Sequence, residues 1–166
     1  MVTVWRSWQT RLAGLGGVIG LLAALVAGPT HAHGTRVGDV VVDHPYALPS
    51  APGATTGAVH FRALRNGGRA PERLLGAHTA AAVRVELQRA PRPGDSAGMR
   101  AVPALDIAPG ATLATRHDGD VRLLLDGLAT PLREGERFKL TLRFERGGEA
   151  EVTVWVQQPR EPAARR

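Results

Sequence analysis

Residues 137–157 read RFKLTLRFERGGEAEVTVWVQ, and their period is two. Phe138, Leu140, Leu142 and Phe144 fall on one side; Arg137, Lys139, Thr141 and Arg143 fall on the other. After Arg146-Gly147-Gly148-Glu149, Val152, Val154 and Val156 alternate with Thr153, Trp155 and Gln157. Successive side chains of a strand point to opposite faces, so each run buries one side and wets the other. Two such runs joined by a glycine turn predict a β-hairpin.

The same period recurs toward the N-terminus. Val83, Val85 and Leu87 alternate with Arg84, Glu86 and Gln88, as in a half-buried strand. Val37, Val40 and Val42 open a short strand that ends at Asp43-His44-Pro45. Residues 58–64 form a second strand, stopped by Asn66-Gly67-Gly68, and Leu74-Leu75 lies in a third. Met99 and Val102 begin a further short segment, and residues 121–125 are an apolar run. Pro49, Pro52, Gly53, Pro91, Pro93, Pro109 and Gly110 mark loops between them. About eight short strands with no amphipathic helix predict an all-β sandwich or Greek-key barrel.

The two ends read differently. Arg6 and Arg11 give a positive start, the apolar run LAGLGGVIGLLAALVA fills 12–27, and Gly28-Pro29-Thr30-His31-Ala32 follow. Charged, then apolar, then small is the order of a secretory signal peptide. The apolar run is shorter than the ~20 residues that span a bilayer, which favours cleavage over a retained anchor. Thr30 and Ala32 suit a cut after Ala32, which makes residues 1–32 the signal and His33 the new N-terminus. Residues 158–166 are polar, charged and proline-containing, and are expected to be a disordered tail.

Composition narrows the function. The 134 residues left after such a cut suit one domain. The chain has no cysteine, which excludes disulfides and thiolate metal sites. Basic residues are interspersed with acids and aromatics are 4%, which argues against a nucleic-acid partner. There is no nucleophile-elbow sequence, no His-x-x-x-His pattern and no phosphate loop, which argues against an enzyme. Asp118 and Asp120 flank Gly119, but too few oxygen donors follow for calcium.

Several landmarks, taken in order, resemble one family. They are Gly38-Asp39-Val40-Val41-Val42-Asp43-His44-Pro45-Tyr46-Ala47, Pro52-Gly53-Ala54, Asn66-Gly67 and Glu72-Arg73-Leu74-Leu75-Gly76-Ala77. Then come Val85-Glu86-Leu87, Met99-Arg100, Ile107-Ala108-Pro109-Gly110, Asp126-Gly127-Leu128, Pro131-Leu132-Arg133-Glu134-Gly135 and Leu140-Thr141-Leu142-Arg143-Phe144-Glu145. Across residues 33–157 this collinear set resembles the periplasmic copper chaperones called PCu(A)C. The resemblance implies a cupredoxin-like Greek-key β-barrel in a periplasmic or secreted protein. It also implies delivery of Cu(I) to a copper-accepting protein of cytochrome oxidase assembly.

The resemblance further implies a copper site built from a His, a Met after ten intervening residues, and a His-x-Met about twenty residues on. Thioether sulfur is soft and suits Cu(I), whereas imidazole suits either oxidation state. In this chain the first position is Gln88, the second is Met99, and the final pair falls on Arg122 and Leu124. Met99 alone matches, and no other methionine follows residue 32. Arg122 and Leu124 are not ligand types, so the candidate metal set is Met99, Gln88 and His117, the last in the turn before Arg122.

Of the other histidines, His44 reads as structural or surface, His60 as exposed, and His78 as a strand-end residue. A free N-terminal His33 offers amine and imidazole together, an alternative chelate for Cu(II). A third alternative is a copper-free binding or scaffold module of the envelope, with Arg122 as a carboxylate contact.

Overall fold

The computed structural model describes residues 34–91 and 98–158. The expected signal (1–32), His33 and the tail beyond residue 158 lie outside them. Eleven strands and no helix are present among the described residues. They are β1 (Gly34–Val37), β2 (Val40–Ala47), β3 (Thr56–Asn66), β4 (Glu72–His78), β5 (Ala82–Arg89) and β6 (Arg100–Ala101). Then come β7 (Leu105–Ile107), β8 (Thr112–Thr115), β9 (Val121–Leu128), β10 (Arg137–Phe144) and β11 (Gly148–Val156). The expectation of about eight strands undercounts because β1, β6, β7 and β8 have two to four residues, too few to show a period.

The hairpin of residues 137–157 is β10 and β11. Its register sets Leu140 opposite Val152 and Phe138 opposite Val154, apolar against apolar, as the alternation requires. Leu140, Leu142, Phe144, Val152, Val154 and Val156 are buried in one core. On the wet face the Arg137 guanidinium lies 3.8 Å over the half-exposed Trp155 ring and shields it.

The sheet runs β6-β5-β9-β3-β2-β11-β10-β4-β7, with β1 added to β2 and β8 to β3. Every pairing is antiparallel except β11 with β2. Strand β3 organises the half that matters for function. Its first residues pair with β9 (Thr56 with Asp126, through Val59 with Leu123), and from Phe61 onward it pairs with β8. The register shifts between Phe61 and Leu64 as β8 takes over.

Three local expectations are corrected. Strand β2 does not stop at Asp43-His44-Pro45; it continues to Ala47 because His44 adopts φ +47° and bends the strand without ending it. His44 Nε2 sits 2.8 Å from Gln157 Nε2 beyond the end of β11, so this kink is tied to the last strand. His60 is not exposed: it is 4% accessible, because the β8–β9 side of β3 covers it. Val83, on the apolar phase of β5, is 89% exposed, since it lies opposite Gly127, which has no side chain to cover it.

The turn at Gly38 joins β1 to β2 and touches the β10–β11 turn. Gly38 has φ +54°, and a Cβ there would sit 2.9 Å from the Gly147 Cα, a backbone atom that cannot step aside. Beside it the buried Glu72 carboxylate accepts hydrogen bonds from the Arg146 and Gly147 amides at 3.0 and 2.9 Å. Gly38→Ala is therefore expected to lower unfolding stability by about 1–3 kcal/mol. A urea titration checks it, with a lower midpoint at an unchanged slope.

Candidate metal centre

The positions singled out in sequence come together at one end of the sheet. Gln88 on β5 and Arg122 on β9 are Cα partners, so both side chains stand on the same face. Leu124, two residues along β9, shares that face and is paired with Glu86 on one side and Ala58 on the other. Met99 precedes β6, whose Ala101 is the partner of Gln88. Alternation carried back from Ala101 sets Met99 toward the Gln88 face.

The chemistry at this point is polar and already satisfied. Arg122 Nε donates to Gln88 Oε1 at 3.0 Å, and Gln88 Nε2 donates to Glu86 Oε2 at 3.3 Å. Gln88 is 8% accessible, so the guanidinium takes the amide oxygen in a nearly dry setting. A cation placed beside Arg122 meets its fixed charge. Two unit charges about 4 Å apart repel by about 4 kcal/mol at the effective dielectric of about 20 found near protein surfaces. That is about three decades of affinity at about 1.4 kcal/mol per decade. Leu124 has no donor atom. Of the four positions, only Met99 keeps a soft ligand free.

His117 turns elsewhere. It lies in the exposed loop between β8 and β9, and its backbone N–H donates to the Tyr46 hydroxyl at 3.2 Å. Its ring Nδ1 lies 3.3 Å from the same hydroxyl. Its ring meets that of His60 edge-on, with centroids 6.5 Å apart. His60 Nδ1 is 3.0 Å from the Thr115 carbonyl oxygen, and its ring lies 5.4 Å from Tyr46, its cross-strand partner. Tyr46 in turn neighbours His44 at 6.0 Å. Tyr46 and His60 are absent from the candidate set read in sequence. The available signal was their position, since each stands beside a kink or a change of pairing. Among the described residues no three His, Cys, Asp or Glu side chains converge as a metal cluster.

The model of the LpqE-like family, described as "Putative lipoprotein LpqE-like", matches residues 40–156. The chain therefore belongs to this family, a PCu(A)C-like group. Solved PCuAC domains share its fold. A "Copper-bound PCuAC domain from PmoF2" superposes with a TM-score of 0.64 at 22% identity, covering 76% of this chain and all but 1% of that one. The Cu(I)-loaded solution structure of DR1885 from Deinococcus radiodurans gives 0.59 at 30% identity, over 80% of this chain and 85% of that one. The architecture is accordingly the cupredoxin-like β fold of copper-chaperone domains. No curated protein matches by sequence. No helix among the described residues is long and apolar enough to cross a membrane.

Burial pushes the His60 imidazole below its ordinary value of 6.5. His117 and Arg122 push the same way, while the Thr115 carbonyl and Asp118 oppose. Around it stand Tyr46 and His44 from β2, His117 and Asp118 from the loop, and Arg122 from β9. The unfolded chain thus takes up a proton that the folded chain resists. The stabilisation is full above 6.5 and is lost as pH falls through and below that value. Urea midpoints from about pH 7 down to about pH 5 are expected to fall, and His60→Gln is expected to flatten that slope. An unchanged slope in the variant would assign the effect to other groups.

Proposed function

We propose that this protein is an exported copper-handling member of the PCu(A)C-like group that takes Cu(I) as cargo through a reduced ligand set. Met99 supplies the soft donor, with the Gln88 amide as the weak partner beside it; His117, held to the Tyr46 hydroxyl, joins them only by leaving it. The observation that carries this is the register: Gln88, Arg122 and Leu124 share one patch, and Met99 enters beside it. The copper-bound neighbours supply the cargo by analogy. The recipient would be a copper-accepting protein of oxidase assembly in the periplasm or outside the cell. The role is that of a carrier, not an enzyme.

A second reading is favoured by the Arg122–Gln88 hydrogen bond. It is a copper-free envelope binding module in which the guanidinium meets a carboxylate of a partner. Cu(I) titration of the chain against a competing chelator separates the two. The first reading expects stoichiometric but weak binding that drops at least tenfold in Met99→Ala. No binding leaves the second reading, and binding that survives Met99→Ala removes the inherited site. Chelation by a free His33 requires cleavage after Ala32, which mass spectrometry of the exported chain reads directly.

The converse experiment rebuilds the pattern. Gln88→His, Arg122→His and Leu124→Met together remove the guanidinium and restore two imidazoles and a thioether on one face. Cu(I) affinity is expected to rise at least 100-fold over the parent chain, read by the same competition. A gain smaller than tenfold would mean that these positions do not form a copper site on this scaffold.

A further inference from the structure

We propose that His60 and His117 form a two-imidazole site for a divalent ion, Cu(II) above Zn(II), held in place by Tyr46 and the Thr115 carbonyl. This site shares His117 with the reading above and otherwise stands on different residues.

Metal-binding imidazoles commonly engage the second ring nitrogen in a hydrogen bond that fixes tautomer and orientation. Both rings have that support here. His60 Nδ1 faces the Thr115 oxygen at 3.0 Å, and His117 Nδ1 faces the Tyr46 hydroxyl at 3.3 Å. Nε2 is thus the nitrogen left to each ring for a ligand. His60 comes from the rigid sheet, buried and held neutral by desolvation, and neutral imidazole is the ligating form.

The separation is close to what an ion needs. A metal–nitrogen bond of about 2 Å puts each ring centre about 3 Å from the ion, so two ligating rings lie at most about 6 Å apart. The observed 6.5 Å is slightly wider. His117 sits in an exposed loop held to Tyr46 by two hydrogen bonds of 3.2 and 3.3 Å, so a small inward shift of that loop closes the gap. His60, paired with Tyr46 of β2 and hydrogen-bonded at the Thr115 carbonyl, does not need to move. Asp118, next along the loop, favours a cation, and Arg122 opposes one.

Two nitrogens and open positions for water suit imidazole-preferring divalent ions, and the divalent series places Cu(II) above Zn(II). Nothing in the pair is soft, so Cu(I) gains no thioether from it. The preference is opposite to that of the Met99 position, which makes the two assignments separable.

The test uses the exported chain carrying His33→Ala, so that an N-terminal chelate cannot answer for the site. Copper(II) chloride and zinc chloride are titrated by calorimetry with glycine as competitor, and the copper form is examined by electron paramagnetic resonance. One Cu(II) per chain is expected, with hyperfine structure from two nitrogens and weaker Zn(II) binding. His117→Ala and His60→Gln should each lower Cu(II) affinity at least tenfold, while Met99→Ala leaves it within twofold. His117 is in an exposed loop, so its variant stays folded and carries the result even if His60→Gln does not fold. Absence of saturable Cu(II) binding, or binding that His117→Ala leaves intact, overturns the proposal. Loss of Cu(I) binding in Met99→Ala with Cu(II) binding retained confirms that the two sites are distinct.

Discussion

Strand β3 cannot pair with β8 and β9 over the same residues of one edge, so it divides itself between them. Residues 56–59 take β9, and residues from 61 onward take β8. His60 lies at the handover, where the loop that joins β8 to β9 must cross. That crossing puts His117 over His60 and beside Tyr46, the residue paired with His60 on the other edge. Burial of a polar ring at this spot is tolerable only because the Thr115 carbonyl satisfies it. The histidine grouping is thus a consequence of strand order.

The second organising contact is the Arg122–Gln88 hydrogen bond. It joins neighbouring strands at the positions where the resemblance to PCu(A)C chaperones implies ligands, and it uses the same cross-strand geometry that would bring two ligands together. Sheet register delivers the two side chains to one point whatever they are. Chemistry then decides the outcome: two imidazoles would offer lone pairs to an ion, whereas a guanidinium and an amide satisfy each other. The scaffold therefore survives substitution at the site without strain, and no fully buried side-chain nitrogen or oxygen among the described residues lacks a partner.

Legibility in the sequence followed the length of the periodic runs. The β10–β11 hairpin was readable residue by residue, since eight and nine residues of alternation leave little ambiguity. Gln88 and Arg122 were singled out by motif position, but their cross-strand pairing is set by sheet register, which the local pattern does not encode. His60 was misjudged because parity along β3 assigns it to the face opposite Val59 and Phe61, and that face is ordinarily wet. What covers it is the loop after β8, five strands later, and no local pattern encodes that. Tyr46 was hidden for a related reason: the Pro45 that follows His44 signals a stop, yet the left-handed turn at His44 lets the strand continue.

The arrangement also bears on which part of the molecule is free to change. The core is built from Val40, Val42, Phe61, Leu123, Leu140 and their buried neighbours. Gln88, Arg122 and His117 contribute polar atoms at its edge, and Met99 immediately precedes β6. Folding stability therefore depends little on the identity of these candidate residues, apart from His60. His60 is the exception because it is enclosed by three elements and hydrogen-bonded within them. A protein that abandoned metal altogether could replace His117 in its exposed loop at little cost, but could replace His60 only with a side chain able to meet the Thr115 carbonyl. His60 is accordingly explained by packing alone, whereas the imidazole at residue 117, edge-on to it from an exposed loop, has no such structural need.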